Sequence, residues 1–116
     1  MGTPQKTTPT VRQVRISEQA LQNINELTGY IAFIAQSPAN AIKVGDALFA
    51  NINRIERNPF AFKECEELPT KAKLYRRAVC YSWVIIYKIT DTEIIILGII
   101  HSARRPSKIK KLRKIQ

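Results

Sequence analysis

Apolar residues along the first half of the chain recur with the period of a helix. Between residues 17 and 36 they fall at steps of three and four, giving a face of Ala20, Ile24, Leu27, Ile31 and Ile34. Ser17 suits the N-cap of this helix, and the charge of Glu18 suits the positive end of its dipole. A short strand is predicted before it, at Val11–Ile16, where apolar and polar residues partly alternate.

A second helix is predicted after a restart of the pattern. Ser37 and Pro38 suit its N-cap and first position, and Asn58-Pro59 ends it. Its apolar face consists of Ala41, Ile42, Val44, Gly45, Leu48, Ile52 and Ile55. Because few residues separate the two helices, we expect them to fold back as an αα-hairpin.

The second half of the chain alternates as strands do. Three strands are predicted, at Lys73–Val79, Tyr81–Thr90 and Glu93–His101. Residues 58–73, which precede them, contain two prolines and no clear period. We expect a long connecting loop there, with at most one helical turn at Lys63–Leu68.

The predicted sheet is more apolar than two helices require. The strand Glu93–His101 carries Ile or Leu on both faces, which is typical of a central strand covered from both sides. Two helices cover one face of a four-stranded sheet, so the other face is covered either by a partner protein or by the loop and tail of this chain. We expect a partner, because exposed apolar surface of this extent usually marks a protein interface. An acidic, amphipathic segment that folds on binding would suit a basic groove with an apolar floor.

Charge is concentrated at the end of the chain. The 116 residues carry a net charge of +10. Residues 103–116 contain no acid and seven basic residues, namely Arg104, Arg105, Lys108, Lys110, Lys111, Arg113 and Lys114. Local positive charge indicates an anionic partner, most often nucleic acid, and otherwise an acidic protein or a membrane surface. We therefore expect a flexible arm at 1–10, one folded domain at 11–102 and a basic tail at 103–116.

Several classes of protein are not expected. The polar start lacks the features of a signal peptide or an anchor, and no stretch approaches the length of an apolar membrane span. Cys65 and Cys80 lack CxxC spacing, which favours reduced thiols in a cytoplasmic protein. One His and two scattered Cys do not make a structural zinc site, and no cofactor motif is present.

The candidate chemistry lies at the end of the last predicted strand. His101 ends that strand, and Arg104 and Arg105 follow within a turn, so these side chains could hold a phosphate. Arg76 and Arg77 are adjacent in a strand and point to opposite faces, so only one of them can share a site with His101.

Aromatic and acidic residues are the remaining candidates for functional side chains. Stacking on a base is a possible role for Tyr75, Tyr81, Trp83 and Tyr87. General bases are available in the loop at Glu64, Glu66 and Glu67. The residues by themselves thus predict an anion-binding site with possible acid–base groups.

The order of elements and three segments resemble the RelE/ParE superfamily of toxins from bacterial type II toxin–antitoxin modules. The segments are NPF at 58–60, YRRAVCYSWVIIYKI at 75–89 and IIILGIIHSARRP at 94–106. The resemblance implies an α+β fold in which a small antiparallel sheet carries an αα-hairpin on one face, in the order β-α-α-β-β-β. It also implies a cytoplasmic protein that forms a hetero-oligomer with a cognate acidic antitoxin.

The superfamily divides by target. RelE-like members cleave messenger RNA on the ribosome, whereas ParE-like members inhibit DNA gyrase and are not known as nucleases. The HSARRP ending resembles the ParE side and the group of plasmid stabilisation proteins. We therefore expect growth arrest through gyrase, with mRNA cleavage as the alternative and a non-enzymatic nucleic-acid-binding module as a third hypothesis.

Residue roles depend on which target is correct. For an RNase, the resemblance places Arg77 and His101 in the site, with Arg104 on the phosphate and Glu67 or His101 as acid or base. Ser102 stands where some RNase members have Tyr, and Lys71 and Lys73 match the RelE-type lysines only loosely. For a binding toxin, the residues expected to contact antitoxin or target are Tyr75, Trp83, Tyr87, Arg105, Lys108, Lys110 and Lys111.

Overall fold

A computed structural model describes residues 12–103 and 106–115, and it has one five-stranded sheet with the strand order β1-β5-β4-β3-β2. The strands are Gln13–Ile16 (β1), Lys63–Glu64 (β2), Tyr75–Cys80 (β3), Trp83–Ile89 (β4) and Glu93–His101 (β5). Two long helices lie between β1 and β2, so the predicted α+β class is confirmed. The expected arm at 1–10 lies outside the described residues.

The sheet is mixed in direction. β1 runs parallel to β5, whereas the pairings of β2 with β3, β3 with β4 and β4 with β5 are antiparallel. Strands β2 to β5 therefore form the predicted antiparallel sheet, and β1 pairs in parallel with β5, which the long connection between the two strands allows. Arg15 of β1 forms an ion pair with Glu93 of β5, with 3.0 Å between Nε and Oε2.

The predicted hairpin consists of α1, at Glu18–Gly29, a π-helical turn at Tyr30–Ile34, and α2, at Pro38–Arg57. Ser17 is the N-cap of α1, since its Oγ accepts a hydrogen bond from the Ala20 N–H at 3.0 Å. The same Oγ donates to the Leu97 carbonyl at 3.0 Å and so joins the start of α1 to β5. Ser37 stands at the N-cap position of α2, but its side chain makes no capping bond.

Two residues assigned to the buried helix faces are exposed. Ile34 is 68% exposed because the π-helical turn changes the angular spacing, and residues at its end no longer continue the apolar stripe of α1. Ile42 is 67% exposed because it lies one position away from the stripe that starts at Ala41 and Val44. Both predictions were wrong for these side chains.

The two faces of the sheet are covered by different parts of this chain. Helices α1 and α2 cover what we call the helix face, which contributes Ile85, Tyr87, Ile89, Ile94, Ile96 and Ile99. The opposite side, which we call the tail face, contributes Tyr75, Val84, Ile86, Ile95 and Leu97. On the tail face Cys65 and Leu68 of the loop pack beside Ile109 and Leu112 of the tail.

The tail is therefore part of the fold. It forms a short helix α3, at Pro106–Lys110, followed by a 3₁₀ turn at Lys111–Lys114. The expectation that a partner covers the second face was wrong: apolar side chains at steps of three bury one side of the tail on the sheet. Among residues 12–103 and 106–115, no helix is long and apolar enough to cross a membrane.

The long loop also contains structure that its composition did not predict. After a 3₁₀ turn at Pro59–Ala61, Lys63–Glu64 pairs with β3 as a short edge strand, where a helical turn was expected. Arg76 fastens this segment, since its Nη1 donates to the carbonyls of Phe60 and Phe62 at 3.1 and 2.8 Å.

Candidate functional site

Arg77 and His101 project from opposite faces of the sheet. Arg77 stands opposite Ile86 in the register, and Ile86 packs on the tail face. His101 stands opposite Trp83, which packs against the helix-face core. Because directly opposed residues share a face, the two predicted catalytic side chains do not share a site.

A β-bulge causes this separation. The register of β4 with β5 shifts between Ile86 and Tyr87, whose partners are Gly98 and Ile96. Leu97 is thus the extra residue, so Ile95 and Leu97 face the tail while Ile99 faces the helices. Simple alternation would have placed His101 on the tail face; the extra residue turns it to the helix face.

Glu67 interacts with Cys65 in the loop. Its Oε1 accepts a hydrogen bond from the Cys65 thiol at 3.6 Å, in the loop beneath the tail face. Burial raises the pKa of Cys65 to about 11, with a further contribution from the nearby Glu67 carboxylate. His101 is exposed, and its Nδ1 accepts from the backbone N–H of Ala103 at 3.1 Å. Arg104 and Arg105 lie outside the described residues.

Two of the predicted contact residues are buried. The Tyr87 hydroxyl donates to the Pro59 carbonyl at 2.7 Å, and burial raises the pKa of Tyr87. Tyr75 lies under two cations, with Lys88 Nζ and Arg113 Cζ at 5.5 and 5.4 Å from its ring centroid. Neither ring is free to stack on a base or to contact a partner. Tyr87 belongs to the core under the helix face, and Tyr75 belongs to the core under the tail face.

Trp83, Lys108 and Lys111, by contrast, line one cleft. It has a volume of about 650 Å³ and lies where β5 extends beyond β1, which pairs with β5 only from Glu93 to Ile96. Helix α1 forms one wall and the tail forms the other. The lining is Gln19, Asn23, Glu26, Leu27, Tyr30, Trp83, Ile99, Ile100, His101, Lys108, Lys111, Leu112 and Ile115.

The floor of the cleft is a strand edge with aromatic and cationic groups around it. Asn23 Oδ1 accepts from the outward N–H of Ile99 at 3.1 Å, which satisfies one edge group. The Trp83 and His101 rings meet edge to face, with centroids 5.9 Å apart. Two lysines and one glutamate, Glu26, give the cleft a positive balance. An extended, acidic segment with apolar side chains matches this lining.

A second exposed surface surrounds the connection between α1 and α2. Tyr30, Phe33, Ile34 and Ile42 are 61, 80, 68 and 67% exposed. Sequence reasoning missed this patch because it assigned both isoleucines to buried faces. Tyr30 also lines the cleft, so the patch and the cleft are continuous.

A family model and a solved structure both match this chain, in agreement with the fold described above. A family model described as the ParE toxin of the type II toxin–antitoxin system, parDE, matches residues 14–106. A solved chain from the chromosomal ParDE TA system of P. aeruginosa superposes with a TM-score of 0.65 at 16% identity, covering 78% of this chain and 96% of that chain. At this identity the likeness concerns the fold. No curated protein sequence matches.

Proposed function

The chain belongs to the ParE toxin family of type II toxin–antitoxin systems, whose model spans residues 14–106, and we propose that it arrests growth by inhibiting DNA gyrase until an antitoxin neutralises it. The observation that carries the choice of target is the placement of Arg77 and His101 on opposite faces of the sheet.

Cleavage of RNA needs several groups around one phosphate. A base must take the 2′-hydroxyl proton, an acid must protonate the leaving oxygen, and cations must stabilise the charge between them. In this chain the tail covers the face that carries Arg77, with Ile109 and Leu112 buried there, and Glu67 is engaged with Cys65. This arrangement supports a toxin that acts by binding a protein.

We further propose that the antitoxin places an extended acidic segment in the cleft between α1 and the tail. Lys108 and Lys111 would meet its carboxylates, and Trp83 and Leu27 would meet its apolar side chains. The exposed apolar patch beside the cleft would extend the contact in a toxin–antitoxin hetero-oligomer. Charge complementarity of this kind speeds association and selects the partner.

Titration with the antitoxin tests the cleft, and the antitoxin is sought as a small acidic protein encoded by the neighbouring reading frame. Trp83 is the only tryptophan of the chain, so its emission reports directly on the cleft. We expect K108E/K111E to weaken binding by at least about tenfold, since a close charge pair across an interface can contribute about 1.5 kcal/mol or more.

The matched control is K43E/R57E, which makes the same change in net charge on α2. Lys43 and Arg57 are exposed and lie outside the cleft. Equal losses of affinity in both variants, or an unchanged Trp83 emission at saturation, would place the antitoxin elsewhere.

Gyrase inhibition itself is tested by controlled expression in bacteria. We expect double-strand DNA breaks and an SOS response to accompany growth arrest, and we expect messages to stay intact. Rapid loss of messages without DNA breaks would favour the RNase alternative instead.

A further inference from the structure

Charge is divided between the two faces of the molecule. The hairpin segment 18–57 contains four acidic and three basic residues, whereas the tail segment 106–115 contains five basic residues and no acid. The two segments cover opposite faces of the sheet. The hairpin on the helix face is therefore nearly neutral, and the tail on the opposite face is strongly basic.

The basic residues of the tail are held in place by its apolar side. Ile109 and Leu112 are 8 and 5% exposed, so they fix α3 and the following turn on the sheet. Arg113 packs over the Tyr75 ring and donates from Nη2 to the Pro69 carbonyl at 3.4 Å. Lys110 and Lys114 are exposed and do not line the cleft. Their side chains are therefore open to solvent, while the backbone that carries them is held on the sheet.

The sheet adds cations to the same side. Lys88 stands opposite Tyr75 in the register, and Lys63 stands opposite Arg77, so these side chains share the tail face. Within the described ranges the one ion pair is Arg15–Glu93, which is remote from the tail in sequence and involves none of these cations. Their charge is thus available to an outside anion.

We propose that the tail face binds the phosphate backbone of double-stranded DNA without reading its sequence, through Lys110, Arg113 and Lys114 together with Lys88. Duplex DNA carries one negative charge per about 1.7 Å of its axis, and the tail places Lys110, Arg113 and Lys114 within a rise of roughly 6–8 Å. A short row of fixed cations matches such a regular polyanion.

Duplex DNA is favoured over single-stranded nucleic acid because, among residues 12–103 and 106–115, the tail face offers no exposed aromatic ring for stacking. Proteins that bind single strands stack bases on exposed aromatic rings. On the tail face the aromatic ring is Tyr75, which is 4% exposed and covered by Lys88 and Arg113. Phosphate contact is the interaction that remains.

This binding goes beyond gyrase inhibition and is separate from the cleft. Lys108 and Lys111 face the cleft, whereas Lys110, Arg113 and Lys114 do not line it. A toxin held on duplex DNA by its tail face would keep the cleft and the helix side free for a protein, and it would be concentrated on the substrate of gyrase.

The experiment measures binding of the whole folded chain to a duplex oligonucleotide of random sequence at several salt concentrations. We expect a dissociation constant of about 10⁻⁴–10⁻⁶ M near physiological salt that weakens steeply as salt rises. K110Q/K114Q should reduce the slope of log K against log salt by about two, and should weaken binding at 0.1 M salt by at least about tenfold.

The control variant K43Q/R57Q makes the same change in net charge on the helix side, and it should leave the slope unchanged. Thermal unfolding followed by Trp83 emission verifies that each variant folds. Equal effects of the two variants would overturn the proposal, because net charge alone would then account for binding. Competition by polyglutamate as strong as that by duplex DNA of equal charge would also overturn it, in favour of an acidic protein partner.

Discussion

Arg77 and His101 belong to one sheet yet project from its opposite faces, because the extra residue Leu97 reverses the facing of the residues that follow it in β5. Arg77 ends up on the face that the tail covers, and His101 ends up at the edge of a cleft under α1. The bulge thus separates the two residues that a nuclease would use together, and it places the His101 ring against Trp83 in the cleft.

Growth arrest should therefore survive the loss of either predicted catalytic residue. We expect R77Q and H101Q each to retain most of the wild-type toxicity when expressed at equal levels, since neither is assigned a chemical step. Colony counts after induction, with protein levels checked on blots, measure this. A loss of toxicity in both variants, with both still folded, would reinstate the RNase mechanism.

Ser17 joins a helix cap to the sheet, so its removal should be costly. S17A loses the bond from the Ala20 N–H and leaves the buried Leu97 carbonyl without its hydroxyl donor. We expect a loss of about 1–3 kcal/mol in unfolding free energy, measured by urea denaturation.

Ser37 provides the matched control, because it occupies the N-cap position of α2 without a side-chain bond. S37A should change stability by less than about 0.5 kcal/mol. If the two variants were equally unstable, the hydrogen bonds of Ser17 would not be the cause.

Gly29 is expected to be a site where alanine stabilises the protein. It has helical dihedral angles, and among the described residues no atom beyond its chain neighbours and its own helix backbone lies within 4 Å of the place where a Cβ would stand. G29A should raise the unfolding free energy by about 0.4–1 kcal/mol, because alanine loses less conformational entropy on folding. A decrease in stability would show that the π-helical turn depends on this glycine.

Gly98 gives the contrast. A Cβ there would lie 3.1 Å from Leu112 Cδ2 and 3.2 Å from Asn23 Oδ1, at the bulge and between the tail and α1. G98A should be clearly less stable than G29A in the same denaturation series, since its neighbours must move.

The two thiols should be slow to react in the folded protein. Burial raises the pKa of Cys65 to about 11 and also raises the pKa of Cys80, so little thiolate forms at pH 8. A thiol reagent such as DTNB should label neither residue quickly until a denaturant is added, after which both should react. Fast labelling of the native protein at pH 8 would contradict this description of the loop.

The same shifts give stability a pH dependence. Above pH 9 the unfolded thiols ionise and the folded ones stay protonated, so the folded state binds more protons and the unfolding free energy falls as pH rises. The C65A variant should show a smaller fall than the wild type over this range.

The spacing of apolar residues predicted most of the fold, because this spacing shows which side of each helix or strand is buried. The helices, the N-cap at Ser17, the strand β5 and the faces of β4 all follow from spacing and from one local hydrogen bond. The edge strand Lys63–Glu64 could not be found in this way, because two charged residues contain no alternation.

The failures at the site have a physical origin as well. The side of His101 depends on a bulge, and a bulge depends on how β4 and β5 pair in three dimensions. The spacing of Ile109 and Leu112 predicted an apolar side of the tail, but spacing does not state which surface covers it. The exposed patch around Phe33 was not predicted either, because the π-helical turn locally shifts which residues continue the apolar stripe of α1.

A supercoiling assay with purified gyrase, relaxed plasmid and ATP tests the proposed target most directly. We predict that the toxin blocks supercoiling at concentrations near that of gyrase, that R77Q and H101Q block it equally well, and that the cognate antitoxin restores it. Full supercoiling in the presence of excess folded toxin, together with cleavage of messages on purified ribosomes, would contradict the account.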